Sequence, residues 1–533
     1  MRRIREMLPL VVALVLVVGV DVCVRILAVR ACGGEYVYPI DDTYIHMAMA
    51  RTLSEHGTWG VEAGRLAFCS SSPLWTLVLA GTFGLLGVVE WLPWALSLVF
   101  NVASVVVVDR MLRRQSTGGW MRLCGVLAVA VAGPFLCTTA LGMEHAMHGF
   151  FVLLTLALAE KFQKGNGRTA VLTCLSAAAA TATRYESLFV LLPLGVGLCG
   201  LEVWRCVRSR VRPLPWRGFV LLVASALPVF AYGAWAVSQG GHFLPNSLLL
   251  KGNFMSASDV FRQLFALLGA VRPGCGFLYL LGMSLAVVAA LPQTRAYWRV
   301  AALSLGVAVV GQMLFADVGQ LCRYEAYLAS AGAFAVVAAL ACGDGWRKFP
   351  TAYATFAVLG LTGGSFLLRA AEAFPAAVRA SSDICCQQVL MTRMMAELPD
   401  EDRGCVALND LGYMVLHGGF PVLDMWGLGS QDMTERILEH PGRWERSDVV
   451  QLFKEHDVRY VVAFDSWFPR RMMPDGTIDV ATMTLEGNRI CGSDEVVFRA
   501  TSEAAADALA RHLSKYEDKL PTRVRLCLQF SPR

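Results

Sequence analysis

The chain has 533 residues, 56% of them apolar and only 17% charged, with a mean hydropathy of +0.51. That balance excludes an ordinary soluble protein, and a formal net charge of +5 gives no case for a nucleic-acid partner. A polytopic membrane protein is expected.

The N-terminus, Met1-Arg2-Arg3-Ile4-Arg5 before an apolar run, has the outline of a signal peptide. The run continues from Leu8 to Val29 through Asp21 and Arg25 and offers no small-residue cleavage site, so it reads as an uncleaved first span. Asp21 and Arg25, at i,i+4, are expected to pair. A long polar segment follows, from about Ala31 to Ser72. It carries Tyr38-Pro39-Ile40-Asp41-Asp42-Thr43-Tyr44-Ile45, then a helical pattern from His46 to Leu53, and it closes on Ser70-Ser71-Ser72-Pro73-Leu74-Trp75, a helix start. Further apolar runs cover Trp94–Val108, Arg122–Thr138, Met147–Glu160, Ala170–Thr183, Leu188–Trp204 and Gly218–Val237. Gly276–Leu291, Val300–Phe315, Ala326–Ala341 and Ala352–Leu368 complete the set. With the first span they predict about 11–13 transmembrane helices.

Orientation follows from the basic loops. Arg110, Arg113 and Arg114; Lys161, Lys164 and Arg168; Arg205, Arg208, Arg210 and Arg212; Arg295 and Arg299; and Arg347 and Lys348 fall on one side with the N-terminus, the cytoplasmic side. Counting Ser72–Val89 as an independent span inverts the later loops. It is therefore expected as a re-entrant or interfacial helix, or as half of a crossing. Sixteen Cys are present without a Cys-x-x-Cys, and Cys32 and Cys69 both face the oxidising side, where a disulfide or two free thiols are the alternatives.

The polar clusters gather on the opposite face: Gly142-Met143-Glu144-His145, Thr183-Arg184-Tyr185-Glu186, Leu244-Pro245-Asn246-Ser247 with Lys251, and Arg323-Tyr324-Glu325. Charged groups at several helix ends on one face point to a water-filled cavity. Asp41 and Asp42 are candidates for a general base or a metal-binding carboxylate; the alternative is that they cap the helix that follows. Adjacent residues point apart, so one role is not expected of both. Arg184, Lys251 and Arg323 suit a phosphate, with structural ion pairs as the alternative. Glu144, His145 and His148 lack a third ligand of convincing spacing for a metal. No nucleotide-binding fingerprint or nucleophile elbow is present.

Beyond Leu368 the composition changes to that of a soluble domain. A strand through Val406-Ala407-Leu408 leaves at Asn409-Asp410-Leu411-Gly412, Leu423-Asp424-Met425-Trp426-Gly427-Leu428 follows, a helix is expected near Ser447–His456, and strands at Tyr460–Phe464 and Val524–Phe530. The fold class expected is mainly α, with residues 1–369 as a transmembrane domain carrying an outer loop over 31–72, and residues 370–533 as a C-terminal soluble α/β domain.

In this order, Asp-Asp-Thr-Tyr-Ile after the first span, Ser-Ser-Ser-Pro-Leu-Trp, Gly-Met-Glu-His, Thr-Arg-Tyr-Glu and Leu-Pro-Asn-Ser with a following Lys resemble bacterial membrane glycosyltransferases of the GT-C superfamily. Within it the chain looks most like the arabinofuranosyltransferase-like branch. The resemblance implies a polyprenyl-phosphate sugar, hexosyl or pentosyl, as donor. It implies a glycan, lipid or protein acceptor on the periplasmic side of the cytoplasmic membrane, and inversion at the anomeric carbon. It also implies an aspartate of the first outer loop as base: Asp41 or Asp42. Arg184, Lys251 and Arg323 then become donor-phosphate contacts, with Tyr44, Glu144, Glu186 and Asn246 around the cavity. Some members use a divalent metal; this chain lacks an Asp-x-Asp in the outer loop, which leaves metal dependence open. The alternatives are a transporter or flippase of lipid-linked precursors and a non-catalytic assembly protein. Charges at one face and a sizeable outer domain favour the enzyme over a transporter, whose ionisable groups sit near mid-membrane.

Overall fold

A computed structural model describes residues 2–115, 117–163, 167–209, 216–252, 256–341, 352–439 and 445–531. Lys164, Arg210, Arg212, Arg347 and Lys348, used above for orientation, lie outside them. The apolar runs are helical, because in lipid each backbone N–H and C=O must find its partner within the segment. They form α1 (Arg2–Ala31), then α4 to α10 after two helices of the outer loop, α2 (Asp42–His56) and α3 (Pro73–Leu86). These are α4 (Leu92–Arg114), α5 (Gly119–Ala132), α6 (Phe135–Leu141), α7 (His145–Phe162), α8 (Gly167–Thr183), α9 (Ser187–Ser209) and α10 (Trp216–Ser238). Two short elements, α11 (Asn246–Lys251) and α12 (Ala257–Gly269), precede α13 (Gly276–Ala290), α14 (Ala296–Phe315), α15 (Ala326–Ala341) and α16 (Ala352–Ile384).

The protein is a multi-pass membrane protein. Among the described residues five helices are each long and apolar enough to cross a bilayer, and α5 and α6, bent by 47° at Gly133-Pro134, form either a broken sixth span or a re-entrant loop. At 14 residues, α3 rises only about 21 Å, short of the ~30 Å hydrocarbon core, as a re-entrant or interfacial helix requires. α16 continues 33 residues without interruption and carries the chain from the apolar bundle into the outer domain.

The outer domain contains α17 (Leu390–Ala396), β1 (Cys405–Leu408), α18 (Gly412–His417), β2 (Val422–Asp424), α19 (Gln431–Glu439) and α20 (Arg446–Glu455). β3 (Val458–Ala463), β4 (Ile478–Leu485), β5 (Glu495–Ala500), α21 (Glu503–Leu513) and β6 (Val524–Leu528) follow. The strands make one six-stranded sheet in the order β2-β1-β3-β5-β4-β6, parallel across β2-β1-β3 and antiparallel beyond. Its core is continuous with that of the outer loop: Ala48, Trp75, Met414, Val462 and Phe498 belong to one buried apolar cluster. The bundle has its own, around Leu153, Leu194, Trp298 and Phe334.

Of the two alternatives for Cys32 and Cys69 the structure has the free thiols, and the expected Asp21–Arg25 pair is not formed. Cys32 and Cys69 are free, because the two ends of the outer loop pack on different partners: the Cys32 thiol on the Ser381 carbonyl (3.5 Å), the Cys69 thiol on the Met49 sulfur (3.1 Å). Asp21 accepts a hydrogen bond from Thr139 (3.2 Å) in place of Arg25, whose guanidinium lies 4.2 Å from the Trp94 ring centre. A packed cation–π contact serves Arg25 better than a carboxylate that α6 already engages.

Candidate active site

Asp41 and Asp42 stand at the threshold of α2, Asp41 just before its first turn and Asp42 as its first residue. Successive side chains at a helix start diverge by about 100°, and the two carboxylates face different halves of the molecule.

Asp41 turns to the outer domain. It accepts hydrogen bonds from the backbone N–H groups of Gly412 (2.5 Å) and Tyr413 (2.8 Å) and from the carboxyl of Asp410. Arg51, later on α2, donates to the carbonyls of Leu416 (2.7 Å) and Val415 (3.2 Å). α2 therefore holds α18 at both ends, acid at the amino end and base at the carboxyl end, as the helix dipole favours. Gly412 is required for this approach, since a Cβ there would lie 2.6 Å from Asp41 Oδ2.

Burial pushes Asp41 up to about 6, against the pull of the Tyr413 N–H, the Asp410 carboxyl and the Gly412 N–H. Burial and the neighbouring Asp41 raise Asp410 well above the carboxylate range. Of the two, Asp410 holds its proton more tightly and donates it to Asp41. A carboxyl that binds its proton more tightly folded than unfolded contributes stability below its unfolded pKa and loses it as pH rises through the folded one. For Asp41 that window runs from about 4 to about 6 and is worth on the order of 2–3 kcal/mol. The thermal midpoint of the full-length protein is expected to fall across this window by more in wild type than in Asp41→Asn, whose amide does not titrate. Equal slopes in parallel melts would show that the pair does not titrate there.

Asp42 turns the other way, with its side chain 32% exposed and 2.8 Å from the Arg323 guanidinium. Burial works to raise it, but the charges of Arg323 and then Lys251 prevail and hold it well below the usual carboxylate range. Arg323 is presented by an unusual turn: Gly319, Gln320, Leu321 and Cys322 all have positive φ, from 46° to 100°. Each non-glycine residue in that region costs about 1–3 kcal/mol. The turn is held by Arg323 N–H on the Gly319 carbonyl (3.1 Å) and by Gly319 N–H on the Glu325 carboxylate (2.8 Å). Lys251 ends α11 with an exposed side chain, and among the described residues it has no ion pair within 4 Å.

A cavity of about 310 Å³ opens between the outer loop and the helix ends, lined by Asp42, Ser70, Arg184, Glu186, Lys251, Asp317, Arg323 and Tyr324. A second, of about 170 Å³, lies under the outer domain, lined by Asp41, Asn409, Asp410, Trp426 and Trp467. The two share Asp42, Lys251, Arg323 and Tyr324, so Asp42 sits where they meet.

Arg184 reaches the first cavity already engaged by two carboxylates, Glu144 (2.6 Å) and Glu186. Glu144 is fully buried behind it, 3.5 Å from His46. Three residues expected around the cavity are not in its wall. Glu144 lies one layer back. Tyr44 is buried in the α2–α18 contact, its ring 4.8 Å from that of Tyr413 and its hydroxyl accepting from Tyr38 N–H (2.9 Å). Asn246 is buried and donates to Gln431 (3.3 Å), because Pro245 starts α11 with that side chain toward the outer domain. Conversely, Asp410, Asn409, Trp426 and Trp467 were not expected. Their segments carry turn and aromatic signals, but nothing in the spacing ties them to Asp41, which lies far earlier in the chain.

The carboxylates do not converge as a metal set. Asp41 and Asp410 are committed to each other and to α18, and Arg323 stands where a cation beside Asp42 would bind. Among the described residues no group of three His, Cys, Asp or Glu side chains is arranged to hold an ion.

Comparison with solved structures settles the architecture. ArnT from Cupriavidus metallidurans, in a structure with undecaprenyl phosphate bound, superposes with a TM-score of 0.53 at 13% identity, over 92% of this chain and 98% of that one. The oligosaccharyltransferase of Archaeoglobus fulgidus in its apo form superposes with a TM-score of 0.50 at 11% identity, over 97% of this chain and 78% of that one. The chain has the GT-C fold. At these identities the likeness is one of fold. In sequence, a domain of unknown function, DUF8728, matches residues 383–508, which lie in the outer domain. No curated protein matches the chain.

Proposed function

We propose that the protein is an inverting glycosyltransferase that moves a sugar from a polyprenyl-phosphate donor to an acceptor hydroxyl at the periplasmic face of the cytoplasmic membrane. The position of Asp42 carries this reading: one carboxylate at the junction of two cavities, with cations on the bundle side. That ArnT binds undecaprenyl phosphate in the same fold supports a lipid phosphate as the anion.

In this reading the donor phosphate enters the larger cavity and is met by Lys251 and Arg323. Arg184, already neutralised by Glu144 and Glu186, shapes the wall. As Arg323 turns part of its charge to the phosphate, the pull that depresses Asp42 weakens and the carboxylate becomes a better base. Asp42 takes the proton of the acceptor hydroxyl, whose oxygen attacks the anomeric carbon from the face opposite the phosphate. The carbon–oxygen bond to phosphate breaks, and the electron pair leaves with the polyprenyl phosphate, stabilised by the two cations. Inversion follows from the single displacement. The basic loops support an N-terminus inside and an outer domain in the periplasm.

The test is release of polyprenyl phosphate from candidate lipid-phosphate sugars by purified protein in vesicles. Lys251→Ala is expected to lower kcat/KM for the donor at least about tenfold, the worth of one charge-assisted contact, with kcat falling as well because the contact strengthens as the phosphate leaves. Movement of intact lipid-linked sugar across the vesicle without release would favour a flippase and overturn the reading.

A further inference from the structure

The smaller cavity is built from the two outer-domain motifs that the donor half does not use. Asn409-Asp410 at the end of β1 lines one side, and Trp426, in the turn after β2, lines another. Trp467, after β3, completes it with a ring 36% exposed. The Trp426 and Trp467 rings stand 5.0 Å apart at 45°, forming an open wedge rather than a stack. The plane of Trp467 is fixed from behind, since Gly492 leaves no room for a side chain: a Cβ there would lie 2.6 Å from the indole and 2.8 Å from Phe464.

Polar groups face this aromatic wall. Asn409 is 96% buried by its 4% exposure. Its Oδ1 accepts from Phe464 N–H (3.1 Å), which assigns the amide orientation and leaves its buried Nδ2 donor without a hydrogen-bond partner among the described residues, in a side chain that lines the cavity. A buried donor left unmatched costs about 1–3 kcal/mol, so a ligand oxygen there recovers that penalty. Apart from Lys251 and Arg323, which it shares with the larger cavity, no cation among the described residues lines it, so it offers nothing further to a second phosphate. An apolar ring face beside fixed hydrogen-bond donors and acceptors suits a pyranose, whose C–H face packs on indole and whose hydroxyls need both kinds of partner. About 170 Å³ is room for one such ring.

We infer that this cavity is the acceptor site, that the acceptor is a carbohydrate, and that its terminal sugar rests against Trp467 with a hydroxyl directed at Asp42. The inference rests on the glycosyltransferase reading above for the role of Asp42, but the sugar site stands on its own geometry. It gives the outer domain the task of choosing the acceptor, while the bundle handles the lipid.

The test uses the full-length protein in detergent, with a panel of methyl hexopyranosides, a short Ser/Thr-containing peptide and undecaprenyl phosphate as probes. Saturation-transfer NMR is expected to show at least one methyl glycoside binding to wild type. Its affinity should fall about tenfold in Trp467→Ala and stay within about twofold in Trp467→Phe. Undecaprenyl phosphate should bind all three proteins alike. Lack of glycoside binding by wild type, or glycoside binding indifferent to Trp467→Ala, overturns the inference. So does peptide binding that depends on Trp467, which would make the acceptor a protein. If glycosides bind through Trp467 but undecaprenyl phosphate binds none of the proteins, the sugar site stands and the lipid-donor reading falls.

Discussion

Replacing Asp42 by Asn is expected to lower sugar transfer by about three orders of magnitude, the loss that follows removal of a positioned general base. The substitution keeps size and shape, so the α2 start and the cavity junction survive. It removes the charge that takes the proton and leaves Arg323, only 4% exposed, without its anion. Two consequences distinguish this from simple damage. Arg323 becomes free to meet the donor phosphate, so the KM for donor should stay level or fall while kcat collapses. The thermal midpoint should drop modestly, since Arg323 keeps its hydrogen bonds to Gln320 and to the Tyr324 hydroxyl (2.9 Å). Asp41→Asn reverses the pattern. Its amide cannot accept from both Gly412 and Tyr413 N–H groups and from Asp410 as the carboxylate does, so the outer domain loosens and stability falls first. Steady-state kinetics beside melting curves on both variants decide the matter. Transfer by Asp42→Asn within about tenfold of wild type would remove Asp42 from the chemistry.

Gly412→Ala is expected to be nearly as damaging, although residue 412 touches no proposed substrate. A single methyl would meet the Asp41 backbone carbonyl and lie 2.6 Å from its Oδ2. The neighbour here is backbone at the start of a buried helix, so it cannot swing aside as the end of a long side chain would. Either α18 withdraws, breaking both N–H bonds to Asp41, or α2 moves and carries Asp42 away from Arg323. Overpacking of this kind costs about 1–3 kcal/mol, and a shift of about 1 Å at a catalytic group is enough for a hundredfold loss of rate. The expected result is roughly a hundredfold fall in transfer, with faster proteolysis between the bundle and the outer domain. Wild-type rate and protease resistance in this variant would show that the outer domain does not position Asp42.

The parts of the molecule legible in the sequence are those governed by local rules. Long apolar runs become helices because lipid leaves the backbone no other choice, and the basic loops sort one face from the other. Ser72-Pro73 starts α3, and the short apolar runs of β1 and β3 are read directly as strands. β4 was missed although Val480, Ala481, Met483 and Leu485 are buried with Thr482 and Thr484 between them, a period-two signal weakened by the bulge after Asp479.

The site is a mixture of the two. That an aspartate of the first outer loop is a candidate site residue was readable from its place beside a membrane, where charge is expensive. Which of the two faces the cavity was not, because adjacent residues at a helix start differ only in direction, and direction is set by what packs against them. Asp41 is drawn to the outer domain by two N–H groups and the Asp410 carboxyl from far along the chain, and Asp42 is left facing Arg323. The same holds for Arg184: its sequence neighbours show Glu186, but only the fold brings Glu144 against it and balances its charge. Composition and charge order determined a bundle with a polar outer face. The division of labour within that face was decided by tertiary contacts, since a carboxylate's role depends on its partners and those partners are distant in sequence.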